Sequence, residues 1–173
     1  TMNYLKLKEN IEMAITAHPF DIEPYNDLFG LCREYEQVNF AVAHEWNHVL
    51  RTQVGFALQG VVNKGDFVAA ERFDNLLFRS LLFGAPHFFD DFLQAVEYGK
   101  ALDKKFYQPR RHYLKRYVDA YQEILDGNLD FLSISMPKRA GKSQLGINFT
   151  NMLSGKFPDR STLMEGTGDD LVK

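Results

Sequence analysis

Apolar residues recur at helical spacing through the first hundred residues of the chain. One apolar set recurs at i, i+3, i+4 spacing, which places its members on one face of a helix: Tyr25, Leu28, Phe29, Cys32 and Tyr35. The same spacing predicts four further helices. The first ends at His18-Pro19, the second runs from Val38 to Val62, the third begins after a capping Asp66, and the fourth runs from Phe88 to Tyr98. Because strand-like alternation is nearly absent here, residues 1–104 are predicted to form a helical N-terminal domain.

The pattern changes after Lys104. An apolar stripe from Leu114 to Leu125 predicts a helix that ends at Asp126-Gly127. The elements predicted next are a buried strand at Phe131–Ser135, a loop at Met136–Gly141, a helix at Lys142–Leu153, a strand at Ser161–Met164 and a helix start at Asp169-Asp170. A strand, a helix and a strand in this order imply a right-handed crossover and a parallel sheet. Residues 105–173 are therefore predicted to begin an α/β domain.

Charge is divided unevenly between these two regions. The net charge is −3, yet residues 1–104 carry 9 Lys and Arg against 15 Asp and Glu, whereas residues 105–173 carry 11 against 8. A basic excess beside the predicted loop suits an anionic ligand such as a nucleotide. The basic residues Lys115 and Arg116 can equally belong to an ordinary solvated helix face.

Cysteine content and hydropathy argue against a disulfide-bonded, membrane-spanning or secreted protein. Cys32 is the one cysteine and cannot form an internal disulfide, which is typical of a reducing compartment. No apolar run approaches the roughly 18 residues that span a membrane. The first residues have no long apolar core and no small-residue cleavage site, so no signal peptide is expected.

A phosphate-binding loop is predicted at Met136-Pro137-Lys138-Arg139-Ala140-Gly141-Lys142-Ser143, between the predicted strand and helix. Backbone N–H groups at the start of such a helix cradle phosphate oxygens, helped by the helix dipole. Gly141 permits close backbone approach, Lys142 can reach the β- and γ-phosphates, and the Ser143 hydroxyl can ligate the bridging Mg²⁺. Residues 130–155 are therefore predicted to form the strand–loop–helix of a P-loop ATPase.

The loop departs from the common G-x-x-x-x-G-K-[ST] pattern, because Met136 stands at the first glycine position. A loop of the form Pro-basic-basic-x-Gly-Lys-Ser resembles the deviant Walker A motif of phage terminase large subunits, which are viral DNA-packaging motors. Phe106–Arg111, followed by an amphipathic helix, is similar to the adenine-recognition segment of that family, and the elements after Ser143 resemble its next helix, strand and helix start. The resemblance covers about residues 105–173.

The resemblance implies a fold and a role for each matching residue. The expected fold is an α-helical N-terminal region followed by the first strand–loop–helix–strand elements of a P-loop α/β ATPase, with the chain mainly α. Lys142 and Ser143 would hold the phosphates and Mg²⁺ of ATP, and Arg139, or less favourably Lys138, would stabilise charge on the γ-phosphoryl group. Lys142 and Arg139 would be the catalytic residues. The remaining expected ATP contacts are Ala140, Gly141 and Gln144 at the loop and Tyr107, Gln108 and Arg110 on the adenine side. Tyr107 can alternatively be an ordinary core residue.

The resemblance also implies the activity of the intact protein. ATP hydrolysis would drive double-stranded DNA into capsids in the host cytoplasm, with the portal and the small terminase subunit as partners and a ring as one oligomeric form. The acidic Mg²⁺ ligand, the water-activating glutamate and the nuclease half of the family have no counterpart here. The chain is therefore expected to be an N-terminal fragment with little hydrolytic activity of its own.

Two alternatives concern the first hundred residues. His44-Glu45-Trp46-Asn47-His48 satisfies H-E-x-x-H within a predicted helix, so a zinc-dependent hydrolase with Glu71 as a third ligand is one alternative. Ordinary helical histidines are the competing interpretation. The other alternative is a non-catalytic helical module, whose acidic balance favours a protein partner over DNA.

Overall fold

The computed structural model describes residues 3–161, and this part of the chain is helical. Its α-helices are α1 (Tyr4–Ala17), α2 (Glu23–Tyr35), α3 (Phe40–Asn63), α4 (Phe67–Gly84), α5 (Phe89–Glu97), α6 (Arg111–Leu125) and α7 (Lys142–Lys156). Two 3₁₀ turns, Leu102–Lys104 and Gln108–Arg110, lie between α5 and α6. The chain divides into two compact units, Thr1–Gly84 and Ala85–Lys173, and the prediction of a mainly α chain is confirmed.

The first unit is built from α1 to α4, which pack in sequence order around one apolar core. Asn39 begins α3 by accepting the Val42 amide at 3.2 Å, and Asp66 begins α4 by accepting the Ala69 amide at 3.0 Å, so the predicted Asp66 cap is confirmed. The buried Asn47 side chain donates to the Ser80 carbonyl at 3.0 Å. This bond fixes the level at which α3 and α4 lie side by side.

The second unit packs α5, α6 and α7 around a separate core. Phe89 on α5 is fully buried and meets Phe149 on α7 edge to face, with ring centroids 5.2 Å apart. The amide of Phe89 also donates to Gln122 Oε1 on α6 at 2.8 Å. The predicted stripe of α6 is buried through Leu114, Val118 and Leu125. These contacts pack the middle of α7 against α5 and join α5 to α6.

The boundary between the units differs from the predicted one. The sequence placed it after residue 104, at the shift in charge and periodicity, whereas the structure places it after Gly84. The physical reason is α5, whose apolar residues Phe89 and Leu93 belong to the core that α6 and α7 share. Charge composition does not report which core a helix joins.

The structure also differs from the sequence prediction at Phe131–Ser135, where a strand was expected. The structure assigns no strand among residues 3–161, and within that range no hydrogen bond is made by the backbone of residues 131–136. A strand requires a neighbour to complete its backbone hydrogen bonds, and no neighbour is present in this range. The second predicted strand, Ser161–Met164, and the helix start at Asp169-Asp170 lie outside the described residues, apart from Ser161 itself.

Candidate nucleotide-binding site

The loop before α7 contains a tight turn and two residues with left-handed backbone conformation. The Ala140 amide donates to the Pro137 carbonyl at 3.2 Å, which closes the turn. Arg139 has φ of 63° and Gly141 has φ of 105°, a conformation that L side chains rarely adopt. Turns that combine left-handed residues with right-handed ones can direct backbone N–H groups to one side, as in anion-binding nests.

The first turn of α7 leaves its amides open. The first intrahelical acceptor is the Gly141 carbonyl, which bonds the Leu145 amide at 3.0 Å. Among residues 3–161, no side chain caps the helix and no backbone carbonyl accepts from Lys142, Ser143 or Gln144. Unpaired N–H groups at the positive end of a helix dipole attract anions, so this end suits a phosphate group.

Three cationic residues lie in the loop and in the first turn of α7. Lys138, Arg139 and Lys142 are exposed, and none of them pairs with a carboxylate within the described part of the chain. Unpaired cations beside open amides add positive potential where the predicted phosphates would lie. Ser143 is also exposed, so its hydroxyl is accessible at the surface beside these amides.

The segment that precedes α6 contacts the loop directly. The ring of Phe106 lies against Gly141 so closely that a Cβ on this glycine would be 2.5 Å from Cε2 and 2.7 Å from Cζ. Tyr113 Oη donates to the Ala140 carbonyl at 3.3 Å. The guanidinium of Arg110 lies 5.5 Å from the Phe106 ring centroid. The sequence predicted both segments as parts of one site, but it did not identify Phe106 or Tyr113 as the contacts between them.

Tyr107 does not line an open surface, in contrast to the role that the resemblance implies for its side chain. Its side chain is fully buried, and its hydroxyl donates to Asp90 Oδ1. Arg111 donates two hydrogen bonds to the same carboxylate, from Nε to Oδ1 at 3.0 Å and from Nη2 to Oδ2 at 2.8 Å. Burial, followed by the bond to Asp90, raises the pKa of the Tyr107 phenol, and the bond to Asp90 raises the pKa of Arg111. Tyr107 is therefore a core residue that anchors the segment.

Gln108 and Arg110 have the exposure that ligand contact requires. Arg110 Nη1 donates to the Phe106 carbonyl at 3.3 Å, and Gln108 Nε2 lies 3.5 Å from Gln94 Oε1. Of the predicted adenine-side residues, these two remain accessible while Tyr107 does not.

Glu97 is a residue of this site that the sequence did not indicate. Its carboxylate is 4% exposed and accepts the amide of Phe106 at 2.8 Å, that of Tyr107 at 2.8 and 2.9 Å, and that of Gln108 at 3.1 Å. The one available signal was a charged residue on an apolar helix face, which is rare unless the charge is bonded.

The H-E-x-x-H segment lies on α3, but within residues 3–161 the structure places no third metal ligand beside it. Asn47, within the motif, lies level with Ser80, and Glu71 is nine residues before Ser80 on α4. At a helical rise of about 1.5 Å per residue, Glu71 is displaced from Ser80, and so from the level of Asn47, by about 14 Å along the helix axis. Among residues 3–161, no three His, Cys, Asp or Glu side chains form a group that could hold a metal ion.

Comparisons of the chain with protein-family models, with curated proteins and with solved structures found no match. Of the helices in residues 3–161, none is both long enough and apolar enough to cross a lipid bilayer.

Proposed function

We propose that the chain binds ATP with Mg²⁺ at the start of α7 and belongs to a terminase large subunit. The observation that carries the proposal is the set of open amides at Lys142–Gln144, preceded by the left-handed Gly141 and accompanied by exposed cationic residues in the same loop and turn. Such a site recognises the phosphates of a ligand, and the contact between Phe106 and Gly141 adds a neighbouring segment for the base.

Each residue has a distinct role in this proposal. The amides of Lys142–Gln144 hold the β-phosphate, Lys142 reaches the β- and γ-phosphates, and Ser143 ligates Mg²⁺. Arg139 stabilises the charge that moves onto the γ-phosphoryl group during transfer. Gln108 and Arg110 contact the adenine side.

In the complete motor, this site would couple ATP hydrolysis to translocation of double-stranded DNA into a capsid. The portal and the small terminase subunit are the partners that this activity implies, and the host cytoplasm is its location. The support is the sequence pattern of the loop together with the loop geometry, both of which concern the nucleotide site.

Nucleotide binding by this chain is the first test. A fluorescent ATP analogue with Mg²⁺ should bind, and Lys142→Ala should weaken binding by at least tenfold, because a charge-assisted hydrogen bond contributes about 1.5–3 kcal/mol. Lys156→Ala is the matched control, because it removes the same charge from the other end of α7. Equal affinity in the two variants would contradict the phosphate assignment.

Hydrolysis in a longer protein that contains this sequence is the second test. Lys142→Ala should abolish ATPase activity. Arg139→Ala should lower kcat with little change in KM, because its charge acts on the transition state. A normal kcat in Arg139→Ala would remove this residue from the catalytic role.

The first unit supports a second candidate role, as a module that binds a protein. Phe56 and Phe67 are each 74% exposed and Val68 is 69% exposed, and the region carries an acidic balance. Exposed apolar residues favour a protein partner, whereas acidic charge opposes contact with DNA phosphates. Salt-dependent binding of duplex DNA that persists in the Lys142→Ala variant would count against this role.

A further inference from the structure

Glu97 is the last residue of α5, an unfavourable place for a buried carboxylate. The C-terminal end of a helix carries partial negative charge, and removal of a carboxylate from water is costly unless hydrogen bonds replace the water. The four N–H···O contacts from residues 106–108 supply these bonds. The carboxylate thereby fixes three successive amides, rather than one, where the chain enters the 3₁₀ turn Gln108–Arg110 that precedes α6.

The fixed segment includes the residue that contacts the phosphate loop. The amide of Phe106 is bonded to Glu97, and the ring of the same residue lies against Gly141. Gly141 in turn supplies the carbonyl that begins α7 and has the left-handed φ of 105°. A continuous path of hydrogen bonds and packing therefore runs from the end of α5 to the open amides of α7.

A second carboxylate holds the same segment from the opposite side of Tyr107. Asp90 accepts a hydrogen bond from the Tyr107 hydroxyl and pairs with Arg111. The side chain of Tyr107 is therefore fixed as well as its backbone amide. The two carboxylates differ in what they hold. Asp90 binds side chains, whereas Glu97 binds the backbone that directs the Phe106 ring toward Gly141.

We propose that Glu97 is a positioning residue of the candidate nucleotide site. Its carboxylate holds the backbone of residues 106–108 so that the base-side segment and the phosphate loop keep a fixed separation through the Phe106–Gly141 contact. The ligand part of this inference rests on the proposed function, whereas the placement of Phe106 and Gly141 does not.

The placement is tested without any ligand in the Glu97→Gln variant. Glutamine has one acceptor oxygen and an NH₂ group that faces the amide donors, so it cannot reproduce the four contacts. Hydrogen exchange of the 106–108 amides should accelerate at least tenfold, and the amide resonances of Ala140 and Gly141 should shift. Unchanged exchange and unchanged loop resonances would overturn the proposal.

The ligand readout separates a positioning role from a general loss of stability. Affinities for Mg-ATP and for Mg-tripolyphosphate are compared, because tripolyphosphate engages the loop but has no base. Glu97→Gln should weaken ATP binding by about tenfold and change tripolyphosphate binding by less than twofold. An equal loss for both ligands would overturn the proposal, because it would show general damage to the site.

Two further variants complete the design. Phe106→Leu should reproduce the selective loss, and the Glu97→Gln/Phe106→Leu double variant should be no weaker than either single variant, since both act through one contact. Additive losses would place the action of Glu97 elsewhere. Val118→Ala, at a fully buried position on α6, should lower the melting temperature and leave the ratio of affinities unchanged.

Failure of the proposed function has a different signature. If the wild-type chain binds neither ATP nor tripolyphosphate, the proposed function fails, and the exchange and resonance measurements still decide whether Glu97 positions the loop. If the wild type binds both ligands and Glu97→Gln leaves their ratio unchanged, the positioning proposal alone fails.

Discussion

Replacement of Gly141 by alanine tests the geometry of the loop most directly. An L residue in the left-handed region costs about 1–2 kcal/mol, and Gly141 has φ of 105°. The added Cβ would also meet two carbons of the Phe106 ring at 2.5 and 2.7 Å, and overpacking of this kind costs about 1–3 kcal/mol. The free energy of unfolding of the second unit should therefore fall by about 2–5 kcal/mol.

The assay should report the two units separately. Trp46 is the only tryptophan and lies in the first unit, so its emission follows that unit. Hydrogen exchange of the α6 and α7 amides follows the second unit. For a unit of this size, the expected loss corresponds to a drop of roughly 10 °C or more in its melting temperature.

The same substitution at Gly146, inside α7, should change stability in the opposite direction. A Cβ on Gly146 would meet only Tyr121 Oη at an ordinary 3.8 Å, and alanine is favoured over glycine in a helix by about 0.8–1 kcal/mol. Gly146→Ala should therefore stabilise the second unit slightly. In Gly141→Ala/Phe106→Ala, the collision is removed and only the cost of the backbone conformation should remain relative to Phe106→Ala. A Gly141→Ala variant as stable as the wild type would refute this account of the loop.

Three further predictions concern the buried polar groups. Asp90→Asn should lower the free energy of unfolding of the second unit by about 2–3 kcal/mol in urea titrations, because it removes the charge that Arg111 and Tyr107 bind. Asp119→Asn, which breaks an exposed pair with Lys115, should lower it by less than about 1 kcal/mol. Equal losses in the two variants would contradict the role of Asp90. Since the pKa of the Tyr107 phenol is raised in the folded chain, stability should be complete below about pH 10 and decline above it, and Tyr107→Phe should reduce this decline in alkaline unfolding curves. Burial raises the pKa of the Cys32 thiol to about 12, so a thiol reagent at pH 8 should react only as fast as the first unit opens; an immediate reaction would show that the thiol is exposed.

The helices were predictable because their signals are local. The stripe that begins at Leu114 and the cap at Asp66 each depend on residues within a few positions of one another, and the structure contains both features. A strand at Phe131–Ser135, which the structure does not contain, would depend on partners far along the chain that no local pattern supplies. The residues of this segment favour a β-strand, but strand propensity alone does not provide a neighbouring strand.

The candidate site was predictable in part for the same reason. The loop and the start of α7 are contiguous in sequence, so Gly141 and Lys142 were predicted from a local motif and from the elements predicted on either side of it. The residues that position the loop are not its neighbours in sequence. Phe106 contacts Gly141, and Glu97 accepts hydrogen bonds from the backbone at Phe106 and Gln108, 9 and 11 positions away. The burial of Tyr107 likewise depends on Asp90, which precedes it by 17 positions.

The segment from Phe131 to Ser135 has a consequence for the behaviour of the protein in solution. Phe131 is 81% exposed, and within residues 3–161 the backbone groups of this uncharged, β-prone stretch have no partners. Such a stretch can recruit the same stretch of another molecule, which makes self-association dependent on concentration. Light scattering should therefore rise steeply in concentrated samples, and Phe131→Lys should delay its onset by placing like charges at the point where two molecules meet.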